Sequence, residues 1–361
     1  MLQQYFLYNK EEEKMKKDKK QRKLTFFKWV FILVFIYGCL STQTLLAKVT
    51  GQCSNCHTMH NSQNGVAINS SGPQKTLLIT DCVGCHSSTS SETIKTLGDT
   101  KIPIVYNTVE PTNPLAAGNF YWVRKNGGND QMGHNVYGIS DQDAYLTVAP
   151  GRTVGCTNSC HYTLAAPPNA NNLYTGGCQG CHYSVSHHSD NGWYRFLAMQ
   201  NHDPNAYVIG IGSSDWEQNP SASNHNKYKG TTDVYSAGSA LQTEHTITAF
   251  CQGCHGAFHG PQNGTNGMGS SSPWIRHPTD ITLPSTGEYA GYDPVNNYSV
   301  EAPVAWTDPA NPTRTTAVVM CLSCHRAHGS PYPDMLRWDY TKMIAGGGGT
   351  GGCFTCHTQK K

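Results

Sequence analysis

Cysteine and histidine recur along this chain of 361 residues in one fixed arrangement, C-x-x-C-H, which occurs six times. In a seventh copy three residues separate the two thiols. The cysteine pairs are Cys53 and Cys56, Cys82 and Cys85, Cys156 and Cys160, Cys178 and Cys181, Cys251 and Cys254, Cys321 and Cys324, and Cys353 and Cys356. The histidines that follow them are His57, His86, His161, His182, His255, His325 and His357. In such a motif the thiols form thioethers to the two vinyl groups of a haem, and the next imidazole binds the iron as proximal ligand. The sequence therefore predicts seven covalently attached haems c.

Two other uses of paired cysteines fit this pattern less well. Disulfides are common in exported proteins with an even number of cysteines, but they need no histidine after every second cysteine. Zinc sites built on C-x-x-C combine two pairs, or add a separate pair of histidines, and do not require a uniform Cys-His junction. The seven pairs use 14 of the 15 cysteines and leave only Cys39.

The histidines that remain outnumber the irons. Of 17 histidines, seven are proximal and ten are left. A six-coordinate iron exchanges electrons with little rearrangement, whereas a catalytic haem keeps an open position. The candidate distal ligands are His60, His134, His188, His202, His259, His277 and His328. This surplus predicts that most irons carry two histidines and are closed to substrate.

Three of these candidates lie close to a proximal histidine. His60 and His328 come three residues after one, and His259 comes four residues after one. A side chain so near cannot easily reach the opposite face of the same haem, so we expect each to bind the next haem and to tie the two together.

The other surplus histidines are less strongly indicated. His187 and His188 are adjacent, and we expect them to supply one ligand between them. We expect His225 and His245 not to be ligands.

The amino terminus carries an export signal. A charged run from Lys10 to Lys23 precedes an apolar stretch from Trp29 to Leu40. This order is typical of a secretory signal peptide. We expect a signal peptide over 1–47, cleaved after Ala47, and a heptahaem domain over 48–361.

Two alternatives for this segment stay open. The sequence Ile36-Tyr37-Gly38-Cys39 resembles a lipoprotein cleavage box, and residues 29–47 are long enough to anchor the chain in a bilayer. Membrane contact is therefore expected only through this segment, if it is lipidated or uncleaved.

The charge of the exported part excludes one class of partner. Nine of the 26 Lys and Arg and four of the 24 Asp and Glu lie in residues 1–47, which leaves 17 basic and 20 acidic residues. The mature chain has no Lys/Arg cluster, so binding to nucleic acid is not supported.

The elements that must position the motifs are short. Only 37% of residues are hydrophobic and 14% are charged, and there are 36 Gly and 19 Pro. The sequence predicts a multihaem cytochrome c fold, mostly loop with short helices and few short strands, wrapped around closely packed haems. About 45 residues per haem are too few to bury each porphyrin separately. The haems fall in pairs at 53–86 and 156–182, with others at 251–255, 321–325 and 353–357.

A few segments have the pattern of regular structure. Predicted strands are Ile102–Val109, Ala206–Ile211 and Thr246–Ala249, and predicted helical turns are Asp233–Leu241 and Pro333–Trp338.

Several stretches resemble the paired C-x-x-C-H family of multihaem cytochromes. They are Cys53–His60, Phe250–His259 and Cys321–Ser330, with Gly118–Trp122 and Ser272–Thr279 as weaker elements of the same group. The resemblance implies electron transfer in the periplasm or at the outer surface of bacteria that respire metals or exchange electrons with partner cells. It also implies other redox proteins as partners, inner-membrane quinol-linked or outer-membrane cytochromes. Some relatives polymerise into conductive filaments. The wider spacing at Cys156 departs from the family motif.

Two functions follow from these residues. The first is a non-catalytic electron carrier, either separate or as a filament subunit. The second is a multihaem reductase of nitrogen or sulfur oxyanions with one five-coordinate catalytic haem. Such reductases often replace the motif histidine with lysine, and no C-x-x-C-K occurs here. We therefore expect a carrier.

Overall fold

A computed structural model describes most of the chain after residue 48. The described residues are 17, 19, 21, 49, 51–63, 66–68, 70, 74–124, 128–151, 164–168, 176–182, 185–188, 193–198, 205–232, 240–259 and 277–361. The chain divides into two compact units, Met1–Thr44 and Leu45–Lys361. The segment from Trp29 to Leu40, including Cys39, lies outside the described residues, and so do the stretched motif at Cys156 and His202.

The regular elements are short, and most of the described chain is loop. The α-helices are α1 Cys82–His86, α2 Tyr121–Arg124, α3 Ala240–Glu244, α4 Ile247–His255 and α5 Cys353–Cys356. The strands are β1 Ser62–Gln63, β2 Val66–Ala67, β3 Ser87–Ser88, β4 Ile94–Leu97, β5 Thr100–Pro103, β6 Tyr106–Asn107, β7 Gly210–Ile211, β8 Lys227–Lys229, β9 Ile281–Thr282, β10 Ala305–Trp306 and β11 Ala317–Val319. This confirms the predicted fold class of short helices and few short strands in a chain that is mostly loop.

One sheet has five strands, in the order β7-β8-β10-β11-β9. Only β8 and β10 run parallel within it. Successive residues of a strand face opposite sides, and the two sides bury different clusters. Ala305 and Val318 pack with Tyr228 on one side, whereas Trp306 and Ala317 pack on the other. The sheet thus supplies apolar surface on both faces.

The apolar clusters reach the cysteine motifs directly. Met320 and Leu322, which flank Cys321, belong to the first cluster, and Cys356 packs against the second. A third cluster around Phe120 and Val123 contacts Cys178. The protein core therefore positions the motifs rather than standing apart from them.

The predicted elements agree with the structure in part. Ile102–Val109 contains the end of β5 and all of β6, and Ala206–Ile211 contains β7. The strand predicted over Thr246–Ala249 is wrong. The hydroxyl of Thr246 accepts a hydrogen bond of 3.1 Å from the Ala249 N–H and caps α4, so the local capping preference prevails over the alternating pattern.

The two predicted helical turns have different outcomes. Residues 240–241 of the first lie in α3, while 233–239 lie outside the described residues. The second contains the 3₁₀ segment Pro333–Met335. Among the helices that the structure describes, none is both long and apolar enough to span a bilayer.

Candidate haem-binding sites

Each described motif forms a single helical turn. We number the seven motifs in chain order, from motif 1 at Cys53 to motif 7 at Cys353, so the stretched motif at Cys156 is motif 3. Motif 2 is α1, motif 5 is the end of α4, motif 7 begins with α5, and motifs 1, 4 and 6 overlap 3₁₀ segments. The N–H of His57 donates to the carbonyl of Cys53 at 2.8 Å, and His357 repeats this bond to Cys353 at 3.0 Å. Residues three and four apart share one face of a helix. The turn therefore brings both thiols and the histidine to the same side.

The proximal imidazoles are held through their Nδ1 atoms. Each of six donates to an oxygen at 2.8 to 3.0 Å. The pairs are His57 with Thr76 O, His86 with Pro103 O, His182 with Arg195 O, His255 with Pro150 O, His325 with Asp334 O, and His357 with Glu288 Oε1. A carbonyl can only accept, so Nδ1 carries the proton and Nε2 keeps its lone pair for a metal.

Three of these acceptors lie in the same kind of loop. Thr76, Arg195 and Asp334 each occupy the left-handed region, with φ of 58°, 50° and 60°, inside a three-residue 3₁₀ segment. The leucine that closes each loop forms a β-bridge with the same motif histidine. The three loops are Lys75–Leu78, Tyr194–Leu197 and Pro333–Leu336. This repeat is absent from the sequence prediction because only the final leucine is shared.

Five proximal histidines face a second histidine. The ring centres lie 6.0 to 6.2 Å apart, in the pairs His57 and His188, His86 and His187, His182 and His328, His255 and His134, and His357 and His277. Two nitrogen–metal bonds of about 2 Å, with about 1.1 Å from each nitrogen to its ring centre, give roughly 6.2 Å across one metal ion. These pairs therefore have the spacing that one iron between two imidazoles requires.

Burial keeps most of these rings neutral. It lowers the pKa of His255 to about 4, with His134 adding to the effect, and the pKa of His328 to about 3, with His182 adding. Burial also lowers the pKa of His86 and of His187. A neutral imidazole is the form that binds a metal, so these sites are ready to do so at neutral pH.

The remaining distal candidates have other positions. His60 is exposed, with φ of 51°, and no described proximal ring faces it. His259 ends the 3₁₀ segment Gly256–His259, and His202 lies outside the described residues. His225 and His245, which the sequence predicts as non-ligands, stack on Tyr298 and Tyr207.

The sequence predicts one ligand from His187 and His188 together, whereas the structure places each of the two near a motif histidine. His187 faces His86, while its neighbour His188 faces His57. Adjacent side chains need not point to the same side of the chain, so two neighbouring histidines can serve two irons. The first two motifs are also close to each other, which is the signal that could have led to this pairing.

The motifs follow one another in space. Val83 of motif 2 and Cys178 of motif 4 pack against the same cluster around Phe120. Helix α4, which ends in motif 5, packs against the 3₁₀ segment Cys321–Ser323 of motif 6. The contacts place motif 2 against motif 4 and motif 5 against motif 6.

The thiol pKa values indicate two further pairs of neighbouring motifs. Burial is the main cause that raises the pKa of Cys85, and the thiol of Cys56 is the second. Burial raises the pKa of Cys324 to about 12, and the thiols of Cys353 and Cys356 add to it. Motif 1 is therefore beside motif 2, and motif 6 is beside motif 7.

Two arginines, Arg337 buried and Arg326 half-buried, hold motif 6 in place. Arg337 donates to the carbonyl of Leu322 at 2.7 Å, and Arg326 donates to the carbonyl of Leu115 at 3.0 Å. Burial lowers the pKa of Arg326 to about 9, and the positive charge of Arg337 adds to this effect. These bonds join the motif to the loop that contains Leu115.

The motif 7 histidine has a charged partner. Glu288 Oε1 lies 2.9 Å from His357 Nδ1, and Glu288 Oε2 lies 3.1 Å from Lys360 Nζ. The hydrogen bond from His357, and then that from Lys360, lower the pKa of Glu288 to about 2. Glu288 is therefore a carboxylate at neutral pH.

Comparison with known proteins agrees with the motifs. Residues 315–361 match the doubled CXXCH motif family. The chain is 25% identical over 360 residues to the C-type cytochrome OmcS of Geobacter sulfurreducens, which covers 80% of this chain and 78% of OmcS. Among solved structures, the outer membrane cytochrome S filament of that organism aligns with a TM-score of 0.42 and 20% identity, covering 80% of this chain and 84% of that one. A second structure, of OmcS nanowires, aligns with a TM-score of 0.37 and 19% identity, covering 82% and 85%. Residues 315–361 thus match the doubled CXXCH motif, and over most of its length the chain is similar to a C-type cytochrome.

Proposed function

We propose that this protein is an electron carrier that holds seven haems c, most of them between two histidines. The observation that carries the proposal is the 6.0 to 6.2 Å spacing of five histidine pairs, each of which includes a motif histidine. Haem iron supplies one-electron exchange when it is bound. The cysteine thiols of the motifs would attach it, and the paired histidines would hold its iron and leave no site open to a substrate.

The order of the motifs supports a relay. Motifs 1 and 2, 2 and 4, 5 and 6, and 6 and 7 are neighbours. His328, which follows motif 6, faces His182 of motif 4. One segment thus fixes the separation of two sites, as an electron relay needs.

Two irons still need distal ligands in this proposal. His325 faces no ring among the side chains that the structure describes, and His161 lies outside the described residues. We assign their ligands to the remaining candidates His60, His202 and His259. Cys156 and Cys160 hold the seventh haem through the wider motif.

We infer the cellular setting from the export signal and the relative. OmcS is described as an outer membrane cytochrome that forms filaments, which supports export, an extracellular position and self-assembly here. The periplasm is the alternative position in this proposal. The proposed redox partners are inner-membrane quinol-linked cytochromes or outer-membrane cytochromes. A signal peptide over 1–47 and a heptahaem domain over 48–361 belong to the same proposal.

Three measurements on the secreted protein test the carrier. A pyridine haemochrome assay should give seven haems per chain, and six in a Cys156→Ala, Cys160→Ala variant. The oxidised protein should show only low-spin signals by electron paramagnetic resonance, and the reduced protein should not bind carbon monoxide. One equivalent of high-spin iron in the wild type would instead favour a reductase.

Electron microscopy of the same preparation tests assembly. Filaments are the expected result, and a uniform population of separate particles would contradict self-assembly without affecting electron transfer.

A further inference from the structure

The six described proximal histidines differ in what their Nδ1 atoms contact. Five donate to neutral backbone carbonyls. Only His357, among these six, donates to a carboxylate, that of Glu288. A hydrogen bond to an ionised acceptor is roughly twice as strong as one to a neutral acceptor. The partner of a ligating imidazole also raises the basicity of that ligand.

Hydrogen bonds from residues near motif 7 hold Glu288 beside His357. Glu288 lies in the 3₁₀ segment Gly287–Tyr289, and its carbonyl accepts a hydrogen bond of 2.7 Å from the Thr358 hydroxyl. The same hydroxyl accepts from the Gly291 N–H at 3.2 Å. Thr358 and Lys360 both follow His357 in the chain. The end of motif 7 therefore binds the backbone and the carboxylate of Glu288 together.

The charge of this partner has a predictable effect on electron affinity. Reduction of ferric to ferrous iron removes one positive charge from the site. A carboxylate that polarises the imidazole N–H stabilises the more positive oxidised state, whereas a neutral carbonyl does so less. Hydrogen bonding around the axial ligand is one of the means by which a protein tunes the potential of a haem.

We propose that Glu288 is a positioning residue that lowers the reduction potential of the haem on His357 and makes motif 7 a low-potential end of the series. This inference rests on the proposed function, because it requires iron on His357. Motif 7 follows motif 6 in the chain, and its Cys356 packs against the cluster that contains Val319, two residues before Cys321. An electron placed on motif 7 then moves toward the sites whose histidines bind neutral carbonyls.

Lys360 has the opposite role in this arrangement. Its ammonium lies 3.1 Å from the oxygen of Glu288 that does not face His357. The positive charge withdraws electron density from the carboxylate and weakens it as an acceptor. Removing the charge of Lys360 should therefore shift the potential in the direction opposite to removing the charge of Glu288.

The test is a potentiometric titration of the full, haem-loaded chain, followed by haem absorbance and by electron paramagnetic resonance. In Glu288→Gln, one component of the titration, with the amplitude of one haem, should move to higher potential. We expect its reduction equilibrium constant to change at least tenfold, which is about 59 mV for one electron. Lys360→Gln should shift the same component to lower potential. Glu288→Asp should restore most of the wild-type value, because it keeps the charge.

Two further variants make the result specific. His277→Ala identifies the component, because His277 faces His357 and its loss should turn that iron high-spin. Asp339→Asn removes a carboxylate that pairs with Lys342 and contacts no motif histidine, so it should leave the titration unchanged.

Three outcomes would overturn the inference. They are an unmoved component in Glu288→Gln, shifts of the same sign in Glu288→Gln and Lys360→Gln, and an equal shift in Asp339→Asn. Failure of the proposed function is distinguishable, since it would show as missing haem or high-spin iron in the wild type.

Discussion

His328 faces His182 with ring centres 6.2 Å apart, although His328 is only three residues from His325, the proximal histidine of another motif. Its main chain is fixed by a hydrogen bond of 2.7 Å from its N–H to the carbonyl of Ala117. The next residue but one, Ser330, donates to the carbonyl of Met132 at 2.9 Å. Backbone bonds on both sides of His328 thus direct its ring toward motif 4.

Replacing His328 with alanine should open one iron. The distal position on the haem of His182 would then be left to water or to an added ligand. We expect one equivalent of high-spin signal in the oxidised protein and carbon monoxide binding by one haem in the reduced protein. His225→Phe is the matched control, since His225 is also buried but stacks on Tyr298. High-spin iron in the control, or none in His328→Ala, would refute the pairing.

The adjacent histidines His187 and His188 should act on two different irons. Because His187 faces His86 and His188 faces His57, each alanine substitution should open a single site. The double substitution should open two, so the high-spin signal should be additive. If one substitution has no effect and the double variant opens a single site, only one of the two is a ligand.

A close approach of three glycines controls the position of His328. Gly329 forms β-bridges with both Gly118 and Gly133. A Cβ on Gly118, whose φ is +82°, would collide with the carbonyl oxygen of Gly329. A Cβ on Gly329 would in turn lie 2.8 Å from the carbonyl oxygen of Asn119. The close backbone approach therefore leaves no room for a side chain at either glycine.

Gly118→Ala should therefore destabilise the protein and disturb the site of His182. Alanine at positive φ costs more than about 1 kcal/mol by itself, and the collision adds to that cost. Gly346→Ala separates the two effects, because Gly346 has φ of +77° and open space around it. Thermal unfolding should show a larger loss for Gly118→Ala, accompanied by high-spin iron. Equal losses and unchanged spin states would contradict the role of the close approach.

The sequence was sufficient for the chemistry of the sites and insufficient for their pairing. The C-x-x-C-H spacing predicts one helical turn with two haem-attaching thiols and one iron-binding imidazole on one face, and all six described motifs have such a turn. The distal partners depend on contacts between distant segments. His255 faces His134 across a large sequence separation, and no local pattern encodes that distance.

The hydrogen-bond acceptors of the proximal Nδ1 atoms were equally impossible to predict from the sequence. Thr76, Arg195 and Asp334 share a backbone conformation rather than a side chain, so their carbonyls cannot be recognised by residue type. Glu288 is a single carboxylate 69 positions from His357. Only the fold shows that the two meet.

Helix α4 offers a stability test close to a site. Thr246 is fully buried and caps α4 through its hydroxyl. Helix α4 ends with Cys254 and His255 of motif 5. Thr246→Ala removes the cap and should lower the free energy of unfolding by about 1 kcal/mol. Thr246→Ser keeps the hydroxyl and should recover most of that loss, as measured by denaturant titration of the loaded protein. If serine were no better than alanine, the lost methyl group rather than the cap would account for the effect. The low-spin signal should persist in both variants, because a cap sets how stably the helix forms and not which residues face the iron.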